Sequence, residues 1–168
     1  AITELLDELE FDSIWVGDHI SFYIPVVESL TLLAFAAAVT ERIQLATGVY
    51  LVPLRHPTTS AKVIASLDML SRGRFIFGVG GGWNAEEMRN HGTNFKSRWR
   101  ILREKILAMK EIWTQEEAEF HGDHVNFDKM WAYPKPVQRP HPPILMGGDG
   151  PTTFDRVVDP RDMIGPRE

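Results

Sequence analysis

The sequence predicts an α/β fold in which a parallel sheet is covered by helices. Segments of helical and strand character alternate along the 168 residues, and the strand segments are almost continuously apolar. Polar residues and glycines follow the strands directly, at the end where parallel strands collect ligand-binding groups. A doubly wound open sheet and a (β/α)8 barrel share this pattern. Because four strand ends carry such residues, we favour the barrel, in which several strands contribute to one mouth.

The elements follow from the periodicity of apolar residues. The predicted strands are 13–16, 43–49, 74–77 and 144–146. The predicted helices are a short one around Leu5, Leu6 and Leu9, then 30–39, 57–70 and 98–113. Helix 98–113 places four apolar residues on one face: Leu102, Ile106, Met109 and Trp113. We treat 1–168 as a single domain in which 118–143 is a small hairpin, turning at Gly122-Asp123, followed by a proline-rich connector.

Four strands are too few for a closed barrel, which usually takes about 250 residues. Half a barrel would leave two unpaired sheet edges, which natural proteins avoid. Three explanations stay open: the chain belongs to a longer protein, segments are missing from the sequence, or two halves pair between chains. We therefore expect full cofactor binding to need sequence beyond Glu168 or in a gap.

A glycine run, Gly78 to Gly82, follows the third strand and precedes a helix that opens at Ala85. Glycine lets a backbone approach a flat or anionic ligand closely, and a helix N-terminus offers free N–H groups to negative charge. The spacing is neither that of a dinucleotide-binding fold nor that of a P-loop. A plain strand-to-helix turn is the alternative interpretation.

Composition excludes several classes of function. The chain has 18 Lys and Arg against 23 Asp and Glu, a net charge of −5, and no basic stripe, which argues against a nucleic-acid partner. It has no cysteine, which excludes thiolate chemistry and fits a reducing cytoplasm. The longest apolar run, 30–39, is too short to span a membrane, and the start shows no signal peptide. We expect a cytoplasmic protein.

Five stretches, in this order along the chain, resemble the bacterial luciferase-like monooxygenases, and within that group the coenzyme F420-dependent oxidoreductases. They are Ser13–His19, Thr40–Val49, Arg55–Pro57, Leu67–Trp83 and Pro134–Gly148. The resemblance implies a TIM barrel, incomplete in this chain, with the tricyclic ring of a cofactor in its mouth. The implied cofactor is coenzyme F420, with FMN as the alternative.

The resemblance also implies roles for individual residues. His19 faces the ring and is the expected catalytic residue, while Thr47-Gly48 holds a bulged non-proline peptide, which can be cis, behind the ring. The expected cofactor-binding residues are Asp18, Thr47, Gly48, Gly80, Gly81, Gly82, Trp83, Gly147 and Gly148. Asp18 would orient His19 or cap the next turn, and Trp83 would stack on a ligand or pack beneath the following helix.

The implied activity is hydride transfer with coenzyme F420 to or from a small organic substrate, by a homodimer. An FMN-dependent monooxygenase is the alternative enzyme, and a non-catalytic flavin-binding or structural partner is the alternative of another class. The sequence departs from the family after His19, where the loop is short, and after Asp159, where no strand is predicted. Trp83 replaces the acid of the family's sugar-phosphate dehydrogenases, which disfavours such a substrate.

Other polar residues have plainer interpretations. His121 and His124 lie across a hairpin turn rather than on one helix face, so we expect no metal site there. Glu104, Lys105, Lys110 and Glu111 are interpreted as the solvated face of a long helix.

Overall fold

The fold centres on a parallel sheet, seen in a computed structural model that describes residues 2–148. β1 (Ser13–Val16) pairs with β2 (Gln44–Thr47), β2 pairs with β4 (Phe75–Gly80), and β4 pairs with β7 (Ile144–Met146). A two-residue strand, β3 (Tyr50–Leu51), follows β2 and pairs with the end of β4. The four predicted strands are therefore parallel neighbours, as predicted.

Five helices accompany these strands in the described residues. They are α1 (Ile2–Glu8), α2 (Ser29–Val39), α3 (Pro57–Leu70), α4 (Ala85–Asn90) and α5 (Arg98–Thr114), with 3-10 turns at Val52–Leu54 and Phe95–Ser97. α3 packs against both α2 and α5. The four apolar residues predicted on one face of the last helix are all buried. Together with the fully buried Phe75, Phe77 and Val79 of β4, they form the main core.

A hairpin and a connector lie between α5 and β7. β5 (Glu117–His121) and β6 (Asn126–Trp131) pair antiparallel in the region where the hairpin is predicted. The connector is tied to α3 by the buried carboxylate of Asp68, which accepts hydrogen bonds from the backbone N–H groups of Val137 at 2.7 Å and Gln138 at 3.0 Å. This anchor satisfies a buried charge and fixes where the chain enters β7.

Two predicted strand boundaries are wrong. The second strand stops at Thr47, a cis peptide joins Gly48 to Val49, and the chain resumes as β3. The third strand does not stop at residue 77 but runs through the first glycines to Gly80. The reason is crowding: a Cβ on Gly78 would collide with the carbonyl oxygen of Thr47, and one on Gly80 would lie 2.5 Å from Cγ2 of Val49. These glycines serve strand packing, so the turn begins only at Gly81.

Among residues 2–148, none of the helices has the length and apolar character needed to cross a lipid bilayer. The expectation that no strand follows Asp159 concerns residues outside the described range.

We expect Gly78→Ala to lower the free energy of unfolding by at least about 2 kcal/mol, because the new methyl group would overlap a backbone oxygen that cannot move aside. Gly17→Ala is the matched control, since a Cβ there meets no atom within 4 Å, and it should change stability by less than about 0.5 kcal/mol. Urea denaturation of both variants measures the difference. Equal stabilities would contradict the close strand approach at Gly78.

Candidate functional site

The carboxyl ends of the parallel strands open into one cleft of about 490 Å³. Nine of the ten residues predicted for the site line it, all but Thr47. The other lining residues are Gly17, Val49, Leu51, Phe95, Arg98 and Trp99. Residues from five separate parts of the sequence thus share one mouth. Four of these parts lie at the ends of parallel strands, where polar and glycine residues are expected to form a site.

The floor of the cleft is built around the side chain of Val49. A Cβ placed on Gly80 or on Gly147 would lie 2.5 Å from a methyl carbon of Val49. The cis peptide that the family resemblance suggested at Thr47-Gly48 lies one bond further on, before Val49. Thr47 itself is fully buried, and its hydroxyl donates to the carbonyl oxygen of Gly78 at 2.7 Å. Thr47 therefore lies behind the floor, and the floor presents mostly backbone.

His19 lies in the wall of the cleft with 18% of its side chain exposed. Its Nδ1 lies 2.8 Å from Oε2 of Glu87. The imidazole stacks on the ring of Phe22, with 3.8 Å between centroids and 6° between planes, and it meets Trp83 edge-on at 5.9 Å. The ring is thus held by one hydrogen bond and two aromatic contacts.

Glu87 is the partner of His19 that sequence reasoning missed. It lies in the first turn of α4, whose cap is Asn84, and its Oε1 accepts hydrogen bonds from the backbone N–H groups of Ile20 at 2.7 Å and Ser21 at 3.0 Å. Burial raises the pKa of Glu87, but the hydrogen bonds from His19, Ser21 and Ile20 outweigh burial and leave this pKa below its usual value. The carboxylate is therefore ionised at neutral pH.

Asp18, one residue before His19, forms hydrogen bonds with residues other than His19. Its two oxygens accept a bidentate pair of hydrogen bonds from Arg55, at 2.6 and 2.8 Å. Leu51 N–H donates to it at 2.9 Å, and the hydroxyl of Ser29 donates at 3.0 Å. The suggestion that Asp18 orients His19 is wrong, since Glu87 makes that contact. Asp18 instead ties β1 to β3 and α2.

Arg55 is held by its own set of contacts. Its guanidinium lies 4.3 Å from the centre of the Tyr50 ring. Burial lowers the pKa of Arg55, and the hydrogen bonds and charge of Asp18 more than compensate, so the pKa lies above its usual value. Lys105 of α5 donates to the carbonyl oxygens of Pro53 at 2.8 Å and Arg55 at 2.7 Å.

The predicted solvated face of α5 is wrong at two positions. Burial lowers the pKa of Lys105 to about 8, because its ammonium group is enclosed against the 52–55 turn. Glu104 accepts hydrogen bonds from the backbone N–H groups of His124 and Val125, both at 2.6 Å. Helical spacing alone cannot distinguish a solvated charge from one that reaches backbone groups on a neighbouring segment.

One wall of the cleft comes from the start of α5, which sequence reasoning also missed. Arg98 stacks over the ring of Phe95 at 3.9 Å, and its Nε donates to the carbonyl oxygen of Gly82 at 3.1 Å. A Cβ on Gly81 would lie 3.0 Å from the Trp99 ring. The signal available was an aromatic, an arginine and a second aromatic at positions i, i+3 and i+4. Trp83 is 67% exposed, so the interpretation that it packs beneath α4 is wrong.

Residues 2–148 contain no group of three or more His, Asp or Glu side chains arranged to hold a metal ion. His121 is exposed, and its Nδ1 lies 2.8 Å from Oδ1 of Asn126 within the hairpin.

Comparison with known proteins adds independent information. The model of the luciferase-like monooxygenase family matches residues 1–164. An uncharacterized protein of Mycobacterium tuberculosis is 50% identical over 129 residues, which cover 76% of this chain and 45% of that protein. The FMNH(2)-dependent dimethylsulfone monooxygenase of Pseudomonas putida is 36% identical over 131 residues, covering 76% of this chain and 36% of the relative. The F420-dependent glucose-6-phosphate dehydrogenase of Kineococcus radiotolerans is 32% identical over 156 residues, covering 88% and 46%.

Solved structures are similar to the described fold. The crystal structure of monooxygenase RslO1 from Streptomyces bottropensis superposes with a TM-score of 0.80 and 32% identity, covering 86% of this chain and 45% of that one. The chain spans less than half the length of the curated relatives that it matches.

We expect Asp18→Asn to lower the free energy of unfolding by about 3 kcal/mol, because it removes the bidentate, fully buried carboxylate that pairs with the largely buried guanidinium of Arg55. Glu28→Gln is the control: Glu28 lies 3.6 Å from the same guanidinium but is 44% exposed, so its loss should cost less than about 1 kcal/mol. Thermal and urea unfolding measure both. A small effect at Asp18 would mean that the pair does not hold the strand ends together.

Proposed function

Because the chain belongs to the luciferase-like monooxygenase family, we propose that it forms the cofactor-binding mouth of a flavin- or deazaflavin-dependent oxidoreductase. The finer proposal is hydride transfer with coenzyme F420 to or from a small organic substrate. One observation carries it: an imidazole held by a buried carboxylate lies in the wall of a cleft whose floor is glycine backbone.

The residues of the cleft fit a flat ring. Its volume of about 490 Å³ lies within the range of small-molecule sites. The floor, at Gly48, Gly80 and Gly147, lets a planar group rest on backbone, and the exposed face of Trp83 offers an aromatic wall. A bound flavin or deazaflavin would supply the hydride chemistry, and the protein would supply placement and proton transfer.

His19 would move the proton. The ionised carboxylate of Glu87 can only accept a hydrogen bond, so Nδ1 of His19 carries the hydrogen between them. In the neutral imidazole, Nε2 then has the lone pair and can take a proton from a substrate hydroxyl or, once protonated, return it. Hydride transfer to or from a carbon–oxygen bond needs such a proton transfer at the oxygen.

An FMN-dependent monooxygenase is the second candidate. The 36% identity to the FMNH(2)-dependent dimethylsulfone monooxygenase favours this candidate. The 32% identity to the F420-dependent glucose-6-phosphate dehydrogenase favours coenzyme F420. The homodimer, the cytoplasmic location and the alternative role as a non-catalytic partner stay predictions.

We expect the protein to bind one of the two cofactors with strong quenching of tryptophan emission, because Trp83 and Trp99 both line the cleft. Titration of the purified protein with coenzyme F420 and with FMN, each oxidised and reduced, identifies which one binds more tightly. Trp83→Phe should remove part of the quenching, whereas Trp131→Phe should not, since Trp131 is 70% exposed on β6 and does not line the cleft. The absence of quenching by either cofactor, measured with the sequence expected beyond Glu168 or in a gap present, would contradict the proposed function.

We expect His19→Ala to lower turnover about a hundredfold or more, while cofactor affinity and the melting temperature change little, because His19 supplies a proton rather than core packing. His121→Ala and His124→Ala are the controls, and both should retain wild-type turnover because these residues lie at the exposed hairpin turn. Steady-state rates and a thermal melt of each variant make the comparison. Normal turnover by the His19 variant, or an essential hairpin histidine, would refute the assignment.

A further inference from the structure

We propose that Glu87 is a positioning residue that decides which nitrogen of His19 carries the proton, and thereby leaves Nε2 as the reactive atom in the cleft. The proposal rests on the proposed function for its catalytic meaning. The claim about the tautomer rests on the geometry of the Glu87 and His19 side chains.

Both oxygens of Glu87 are committed. Oε2 meets Nδ1 of His19 at 2.8 Å, and Oε1 accepts the backbone N–H groups of Ile20 at 2.7 Å and Ser21 at 3.0 Å. The residue is 2% exposed, so water does not compete for these bonds. A single carboxylate therefore holds three consecutive residues of the loop after β1, and His19 is the one whose side chain it contacts.

Glu87 is itself held rigidly. The side chain of Asn84 caps α4 by accepting hydrogen bonds from the N–H groups of Glu86 and Glu87, both at 3.1 Å. The carboxylate lies in the first turn of α4, where the partial positive charge of the helix end stabilises an anion. The cap at Asn84 thus fixes the backbone of Glu87, and the N–H groups of Ile20 and Ser21 fix the orientation of its carboxylate.

The imidazole has little freedom around this bond. Phe22 lies flat against the ring at 3.8 Å, and Trp83 meets it edge-on at 5.9 Å. With the ring plane held and Nδ1 bound to an acceptor, the neutral tautomer has its proton on Nδ1. The same carboxylate stabilises the imidazolium that forms when Nε2 takes up a proton, as the aspartate of a catalytic triad does.

Other charged groups around the pair have different partners. Asp18 is paired with Arg55, and Arg98 lies over the ring of Phe95 and donates to the carbonyl oxygen of Gly82. His91, which follows the last residue of α4, meets the hydroxyl of Ser21 at 3.1 Å. None of these contacts is to the imidazole of His19. Glu87 does contact this imidazole, so we assign the choice of the His19 tautomer to Glu87.

Glu87→Gln tests the proposal with almost no change of shape. The backbone N–H groups of Ile20 and Ser21 need an acceptor, so the amide oxygen takes the place of Oε1 and the NH₂ group faces His19. Nδ1 must then accept, and the proton moves to Nε2. We expect long-range ¹H–¹⁵N spectra of histidine-labelled, cofactor-free protein to show the Nδ1–H tautomer in the wild type and the Nε2–H tautomer in the variant.

The same variant should lose about a hundredfold in turnover while its cofactor affinity stays near the wild-type value, because the ring is misprotonated rather than removed. Glu86→Gln is the matched control. Glu86 precedes Glu87 on α4, its side chain is 77% exposed, and it lies 3.8 Å from Arg89, so the His19 tautomer and the turnover should both stay unchanged. A purely structural role for Glu87 would lower the melting temperature without exchanging the tautomer.

Each outcome decides the proposal. An Nε2–H tautomer in the wild type overturns it even if Glu87→Gln does not fold, and so does an unchanged tautomer in a folded variant. A changed tautomer with normal turnover overturns the catalytic role. If the wild type binds neither cofactor with the sequence expected beyond Glu168 or in a gap present, the proposed function fails separately, and the tautomer in the cofactor-free protein still decides whether Glu87 positions His19.

Discussion

A buried ion pair between Asp18 and Arg55 is the contact on which the mouth of the sheet depends. The carboxylate follows β1, and it accepts hydrogen bonds from the 52–55 turn, from β3 and from α2. A buried ion pair adds little net stability, because removing two charges from water costs about as much as their attraction returns. Its effect is on position: each donor must stay near the carboxylate to avoid an unpaired buried group. The pair therefore fixes where the end of β1 lies relative to the rest of the cleft.

The next residue, His19, is governed by a second carboxylate with a different partner. The partner of Asp18 is the guanidinium of Arg55, which neither gives up nor takes up a proton in proteins. The partner of His19 is the carboxylate of Glu87, which can only accept a hydrogen bond from the imidazole. Two adjacent residues of one loop thus have different partners: Asp18 is paired with a guanidinium, and His19 with a carboxylate. The first holds the loop in place, and the second leaves one nitrogen able to act on a ligand.

The floor of the cleft depends on packing rather than charge. Val49 fills the space between Gly80 and Gly147, and any larger residue at either position would displace it. The glycines there are required by this side chain, and under the proposed function they also admit a flat ligand. A floor that contains Val49 and has the fully buried Thr47 behind it has little room to deform, which fits the proposed binding of a planar group.

The sequence by itself determined the fold class: alternating apolar segments predicted the parallel neighbours β1, β2, β4 and β7, and the chain has the luciferase-like α/β fold. It also identified most residues that line the cleft, because glycine and polar residues at strand ends are a local signal. The extension of β4 to Gly80 was not predicted, because its cause is the adjacent segment of the same chain, at Thr47 and Val49. The tertiary structure alone decided that Glu87 and not Asp18 holds His19. Glu87 and His19 are separated by 68 positions, and a hydrogen bond between side chains so far apart in the sequence leaves no periodic pattern.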